Sequence, residues 1–272
     1  MIVRKYWTSI TAEIVVHGSP CEVVCYGGSN ESMADAEVEA KKKVKIMEAK
    51  LNGDSSSLES YTVEIKEELI NSIDERNVIT RNRYGALVLN SENTIFLDID
   101  YPRTTFFSSL FGLFSAKPKT TNEIKKILFN QVVEVAENSF SQLSFRIYET
   151  KRGYRVVAIG ENVGPNTELA RELFKRFNCD YLYTQLCYKQ DCYRARLSPK
   201  PGYIRYKALK VKFPRSDDEQ RVFGDWLRGY EEKSENYSVC RLVHSVRETR
   251  YLDEVIKVHD DYCKVSKNLP LG

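Results

Sequence analysis

The sequence predicts an α+β protein. Apolar residues alternate or run together between turn residues at 9–26, 84–100 and 145–158, as strands do. Apolar stripes at three- and four-residue spacing mark helices at 33–51, 121–138, 166–177 and 216–235. These elements mix without a strict βαβ beat, which favours α+β over a doubly wound sheet. The chain has 272 residues, 42% hydrophobic and 29% charged, enough to bury a core and wrong for a disordered chain.

The first element is a pair of strands. Ile10, Ala12, Ile14 and Val16 alternate with polar neighbours, 17–20 reads as a turn, and 21–26 is the second strand, broken by Gly27 and Gly28. Ser32 suits a helix N-cap, and Ala36, Ala40, Val44, Met47 and Leu51 form the stripe of the helix that follows. The lysines on its other face are a solvated surface balanced by Glu37, Glu39 and Glu48. A polar loop at 52–57 precedes a short amphipathic helix expected within 60–76. Two strands follow, 84–89 and 94–100, around a turn at 90–93. Residues 102–120 form a connection, 121–138 a helix, 145–158 a hairpin about Lys151, Arg152 and Gly153, and 166–177 a helix. Residues 179–213 read as extended and basic. Residues 216–235 are helical, 238–247 a strand and 250–264 a helix. As segments these divide into 1–76, 77–213 and 214–272, or form one compact domain.

Three stretches carry chemistry. In Phe96-Leu97-Asp98-Ile99-Asp100 the two-residue period puts Asp98 and Asp100 on one face of a strand flanked by apolar residues. Two carboxylates there repel each other and lose hydration unless a cation lies between them, and hard Mg²⁺ or Mn²⁺ prefers such oxygens. The competing reading is a solvated strand end. Between Arg146 and Arg155 stand four cations and one acid, with Gly153 in the turn, a pattern suited to phosphate or to an exposed cationic hairpin. From Lys189 to Lys210 there are seven Lys or Arg and one acid, with Tyr188, Tyr193, Tyr203 and Tyr206 interleaved. Such a segment can form a groove for phosphates and stacked bases, or a basic edge strand protected against pairing.

In this order the three segments resemble the archaeo-eukaryotic primase superfamily, the primase-polymerases. The resemblance covers about residues 90–205 and implies an RRM-like mixed or antiparallel sheet core with flanking helices. Asp98 and Asp100 match its hydrophobic-Asp-x-Asp strand, and Asp180 is the candidate for its third metal-binding acid. Arg196-Leu197-Ser198-Pro199-Lys200-Pro201-Gly202 is similar to a later basic segment of some members. The family's nucleotide-contacting His falls at Arg155, a departure from its pattern. The resemblance implies a nucleotidyltransferase in which Asp98, Asp100 and Asp180 hold Mg²⁺ or Mn²⁺. Arg146, Lys151, Arg152, Arg155, Arg194, Arg196 and Lys200 would then bind nucleotide or single-stranded nucleic acid.

Three other readings stay open: a nucleic-acid-binding module without catalysis, a phosphatase of the haloacid dehalogenase type, and a partner-binding structural protein. The second meets Tyr101-Pro102 where its motif carries glycine. The third would use Phe106, Phe107, Leu110, Phe111, Leu113 and Phe114 as a dimer or partner contact. The net charge of +3 does not by itself imply nucleic-acid binding. Seven cysteines with no CxxC pair and only three histidines read as reduced, mostly buried thiols and not as a metal framework. No signal peptide or membrane span is expected, and the cytoplasm is the default location.

Overall fold

The computed structural model describes residues 1–54, 63–102, 121–249 and 252–272. The aromatic stretch at 106–114 lies outside the described residues.

Strands β1 (Tyr6–Val16) and β2 (Ser19–Ser29) form a two-stranded hairpin. His17 and Gly18, both at positive φ, close it as a two-residue turn. Helix α1 (Met33–Leu51) starts at Ser32, whose side chain accepts from the Asp35 N–H. It packs Ala36 and Ala40 on the hairpin, while Lys41 and Lys42 pair with Glu37 and Glu39 at the surface. Gly27 and Gly28 belong to β2 and do not break it. A Cβ at Gly27 would run into the Ala36 carbonyl and Ala40, so this glycine sets how closely helix and strand approach.

Two four-stranded antiparallel sheets follow. The first has the order β3 (Glu68–Ser72), β4 (Asn77–Arg81), β5 (Leu87–Ser91), β9 (Tyr193–Arg196). The helix expected within 60–76 is not found among the described residues, where Glu68–Ser72 is a strand. Pairing with β4 and the side-chain bonds from Thr80 and Arg194 to Glu67 outweigh the helical preference of this Glu-rich run. The segment boundary at 76/77 therefore falls inside a hairpin.

The second sheet has the order β10 (Cys240–Val246), β7 (Ser144–Thr150), β8 (Gly153–Ile159), β6 (Ile95–Asp100). Helix α2 (Thr121–Asn138) links β6 to β7, with β8 antiparallel between them, a split βαβ unit. The outer strand β10 comes from the C-terminal segment. This is the α+β class expected, with an antiparallel core sheet and flanking helices. One sheet face carries Leu97, Ile99, Tyr154, Val156, Phe145 and Ile147. Helix α2 covers it through Phe129, and helix α3 (Glu168–Arg176) covers it through its C-cap residue Phe177.

The other face carries Phe96, Asp98, Asp100, Arg155, Arg146 and Tyr148. Helix α6 (Glu254–Tyr262) lies against it, with the His259 ring 5.3 Å from Phe96 and 5.2 Å from Tyr148. Residues 179–213 are not extended throughout. They hold helix α4 (Tyr181–Gln190), β9 and a short 3₁₀ turn, Pro201–Ile204. Asp180 caps α4 by accepting from the Tyr183 N–H, and this local bond decides a run whose aromatic residues by propensity suit a strand. Helix α5 (Asp217–Ser234), opened by a Ser216/Glu219 capping box, packs Trp226 edge-on and Tyr230 at a tilt against Tyr206.

Candidate functional site

Strand β6 is an edge strand, so its outer carbonyls need partners from outside the sheet. The start of α4 provides them. The Asp180 N–H donates to the Asp98 carbonyl at 2.9 Å, and the Tyr183 hydroxyl donates to the Phe96 carbonyl at 2.7 Å. These two bonds bring Asp180, 80 residues along the chain, beside the Asp98/Asp100 pair.

The three acids interact electrostatically. Loss of hydration pushes the Asp100 carboxyl up, Asp98 and Asp180 push it further, and Arg152 and Arg196 draw it back, leaving it at about 6. Asp98 is raised by burial and by Asp180, against Arg155 and Arg196. The opposite strand is constrained where it faces Asp100. Gly153 pairs with Asp100, and a Cβ there would collide with the Ile99 carbonyl.

The seven candidate cations divide into two groups. Arg146 is held by Asp260 at 2.7 Å and by the Tyr148 hydroxyl at 2.7 Å. Arg194 is held by Glu67 and Gln190, each at 2.7 Å. Arg155 is buried under α6. These three have internal partners and stand apart from an open phosphate site. The other four lie nearer the surface. Lys151 and Arg152 form the exposed β7–β8 turn. Arg196 lies over the Tyr203 ring at 5.5 Å, and its buried Nε has no partner. Lys200 stands over Tyr203 at 5.5 Å and over Tyr84 at 5.0 Å. Of the four interleaved tyrosines, Tyr203 stays with the cations. Tyr193, Tyr188 and Tyr206 pack inward.

A second cluster was not read from the sequence. Cys240, His259 and Cys263 are buried together, with one donor atom from each lying within 4.8 Å of the other two. Among the described residues no other trio of His, Cys, Asp or Glu meets that distance, the three aspartates included. The Arg155 Nη1 donates to the Arg196 carbonyl at 2.9 Å, reaches the Cys263 sulfur at 3.8 Å, and lies 3.0 Å from His259 Nε2. A guanidinium only donates, so Nε2 accepts and the His259 proton is on Nδ1, which donates to Asp260 Oδ1 at 2.9 Å. Burial opposes ionisation of Cys263, yet Cys240, His259 and Arg155 together hold its thiol well below the usual range. All seven cysteines are free, and five are buried. The one sequence signal of this cluster was His259-x₃-Cys263, four residues apart at the end of a helix.

Compared with protein-family models, with curated proteins and with solved structures, the chain has no match. No helix among the described residues is long and apolar enough to cross a membrane.

Proposed function

We propose that the chain is a divalent-cation-dependent nucleotide- or nucleic-acid-binding protein of the primase-polymerase kind. The observation that carries this is the Asp100 carboxyl at the β6 edge, which burial and the electrostatic influence of Asp98 and Asp180 raise to about 6, although the three carboxylates do not lie within 4.8 Å of one another. An all-oxygen, all-carboxylate donor set fits Mg²⁺ or Mn²⁺ and no softer ion. Asp98, Asp100 and Asp180 would hold the ion, which when bound supplies charge neutralisation and Lewis acidity toward phosphate oxygens. The chain's own cations do the rest. Arg196, with a donor that has no internal partner, and Lys200 bind phosphate beside Tyr203, whose ring offers a stacking face for a base. Lys151 and Arg152 guide the backbone from the hairpin turn. A binding-only version is favoured by one feature: Arg155, at the family's His position, is turned away under α6.

Thermal melts with Mn²⁺ or Mg²⁺, with and without a nucleoside triphosphate, test the reading. Occupancy at 100 times Kd stabilises the folded state by about 2.7 kcal/mol, and Asp98→Asn abolishes the gain. A wild type indifferent to metal in both conditions overturns it. Incorporation of labelled nucleotide on a primed template separates catalysis from binding.

A further inference from the structure

We propose that Cys240, His259 and Cys263 form a buried three-donor binding site for one thiophilic d¹⁰ metal ion, zinc(II) or copper(I), separate from the carboxylates at the β6 edge. The elements converge for structural reasons. Cys240 opens β10, His259 lies in the last turn of α6, and Cys263 caps that helix. The Val239 N–H donates to the Cys263 carbonyl at 3.0 Å, which ties the strand start to the helix end. The Cys240 sulfur stands 4.0 Å from His259 Nε2. Zinc–sulfur and zinc–nitrogen bonds of roughly 2.3 and 2.0 Å place donor atoms roughly 3.5–4 Å apart around one ion. The trio needs only a small contraction.

The surroundings are those of a ligating histidine. Such a residue presents one nitrogen to the metal and donates its other N–H to a carboxylate that is itself held in place. Here Nδ1 meets Asp260 Oδ1 at 2.9 Å. Asp260 is fixed in turn by the Tyr148 hydroxyl at 2.8 Å and Arg146 at 2.7 Å. The Nε2 lone pair is thereby turned to the space that Arg155 Nη1 enters, with both sulfurs within 4.8 Å. Two thiols and an imidazole select soft or borderline ions over magnesium.

The space between the donors already receives a cationic N–H, that of Arg155 Nη1. A metal takes its place. The guanidinium gives up its contacts with His259 and Cys263 and keeps the Arg196 carbonyl. The exchange balances without redox chemistry. Each sulfur binds as a thiolate, so the thiol protons that the pair carries leave to solvent as two metal–sulfur bonds and one metal–nitrogen bond form.

The test uses the full chain, purified under a non-thiol reductant, stripped with chelator and titrated separately with Zn²⁺ and Cu⁺. One equivalent of Zn²⁺ or of Cu⁺ per chain is expected, retained against a weak chromogenic chelator, and the ion that is retained identifies the metal. Asp98→Asn and Cys187→Ala should keep that equivalent, while Cys263→Ala should lose it. X-ray absorption of the loaded wild type should show a mixed sulfur and nitrogen shell, a readout that holds even if Cys263→Ala fails to fold. Failure of both ions to bind, an oxygen-only shell, or an equivalent retained in folded Cys263→Ala overturns the proposal. Loss of the equivalent in folded Asp98→Asn also overturns it, by placing the ion at the β6 edge.

Discussion

At the β6 edge three carboxylates act on one another with arginines at their flanks, whereas under α6 the buried Arg155 and His259 and the half-buried Asp260 meet specific partners. Both clusters sit on one face of one sheet. In a single row across it stand Asp98, Arg155, Tyr148 and Leu242, so Arg155 borders both. The difference comes from position. The edge is reached by solvent and keeps charge unbalanced, while the region under the helix excludes water and tolerates polar atoms only when they are paired. The first kind of cluster supports the proposed Mg²⁺ or Mn²⁺ site, and the second, where Arg155 stands, the proposed soft-metal site.

Arg155→Met should have the largest effect on this contrast. It removes the guanidinium donor from the Arg196 carbonyl, which keeps the Cys263 thiol, and from His259 Nε2, and it removes a buried cation beside Asp98. We expect a loss of about 3–5 kcal/mol in urea unfolding, as for one partner taken from a buried charged network. A change below about 1 kcal/mol would show that the two clusters are not joined through this side chain.

Gly153→Ala tests the edge next. The new methyl meets the Ile99 carbonyl, so overpacking should cost about 1–3 kcal/mol and shift Asp100, lowering any metal-induced gain in Tm. Unchanged stability would mean that β8 yields at this point without disturbing the acids.

Asp100→Asn gives a smaller, pH-dependent effect. The folded carboxyl titrates at about 6, above its ordinary 3.8, so between these values the folded chain holds a proton that the unfolded chain has released. Stability contributed by the protonated group is full below the lower value and is lost as pH rises through about 6. The variant should therefore gain on the wild type at pH 7.5, by on the order of 1 kcal/mol after solvent screening, and show no gain at pH 3.5. Denaturant midpoints at the two pH values measure it. If Mg²⁺ occupies the edge, adding it should close the gap at pH 7.5.

The smallest effect belongs to the exposed turn. Lys151→Ala with Arg152→Ala should move stability by less than about 0.5 kcal/mol. It should nevertheless flatten the log–log salt dependence of single-strand binding, read by fluorescence anisotropy. An unaltered slope would remove the turn from the phosphate path.

Much of the molecule was legible from residue order, because local rules decided it. Ser32 started α1, residues 121–138 formed a helix with those bounds, and Lys151 and Arg152 turned the β7–β8 hairpin, with Gly153 opening β8 rather than lying in the turn. The two-residue period placed Asp98 and Asp100 on one face, while Asp180, matched only through the resemblance, reaches them through the bond from its N–H to the Asp98 carbonyl. Tertiary structure decided what depends on distant partners. Pairing with β4 turned residues 68–72 into a strand, and Asp180 and Tyr183, docking on the open edge of β6, set α4 inside a stretch whose composition suits extension. The fates of the arginines were hidden for the same reason. Arg146 is separated from Asp260 by 114 residues and Arg194 from Glu67 by 127, so no local pattern could show them bound internally. Cys240 and Cys263 lie on a strand and a helix end that meet only through packing of α6, so the sequence by itself showed seven thiols, and only the fold brought two of them to one histidine.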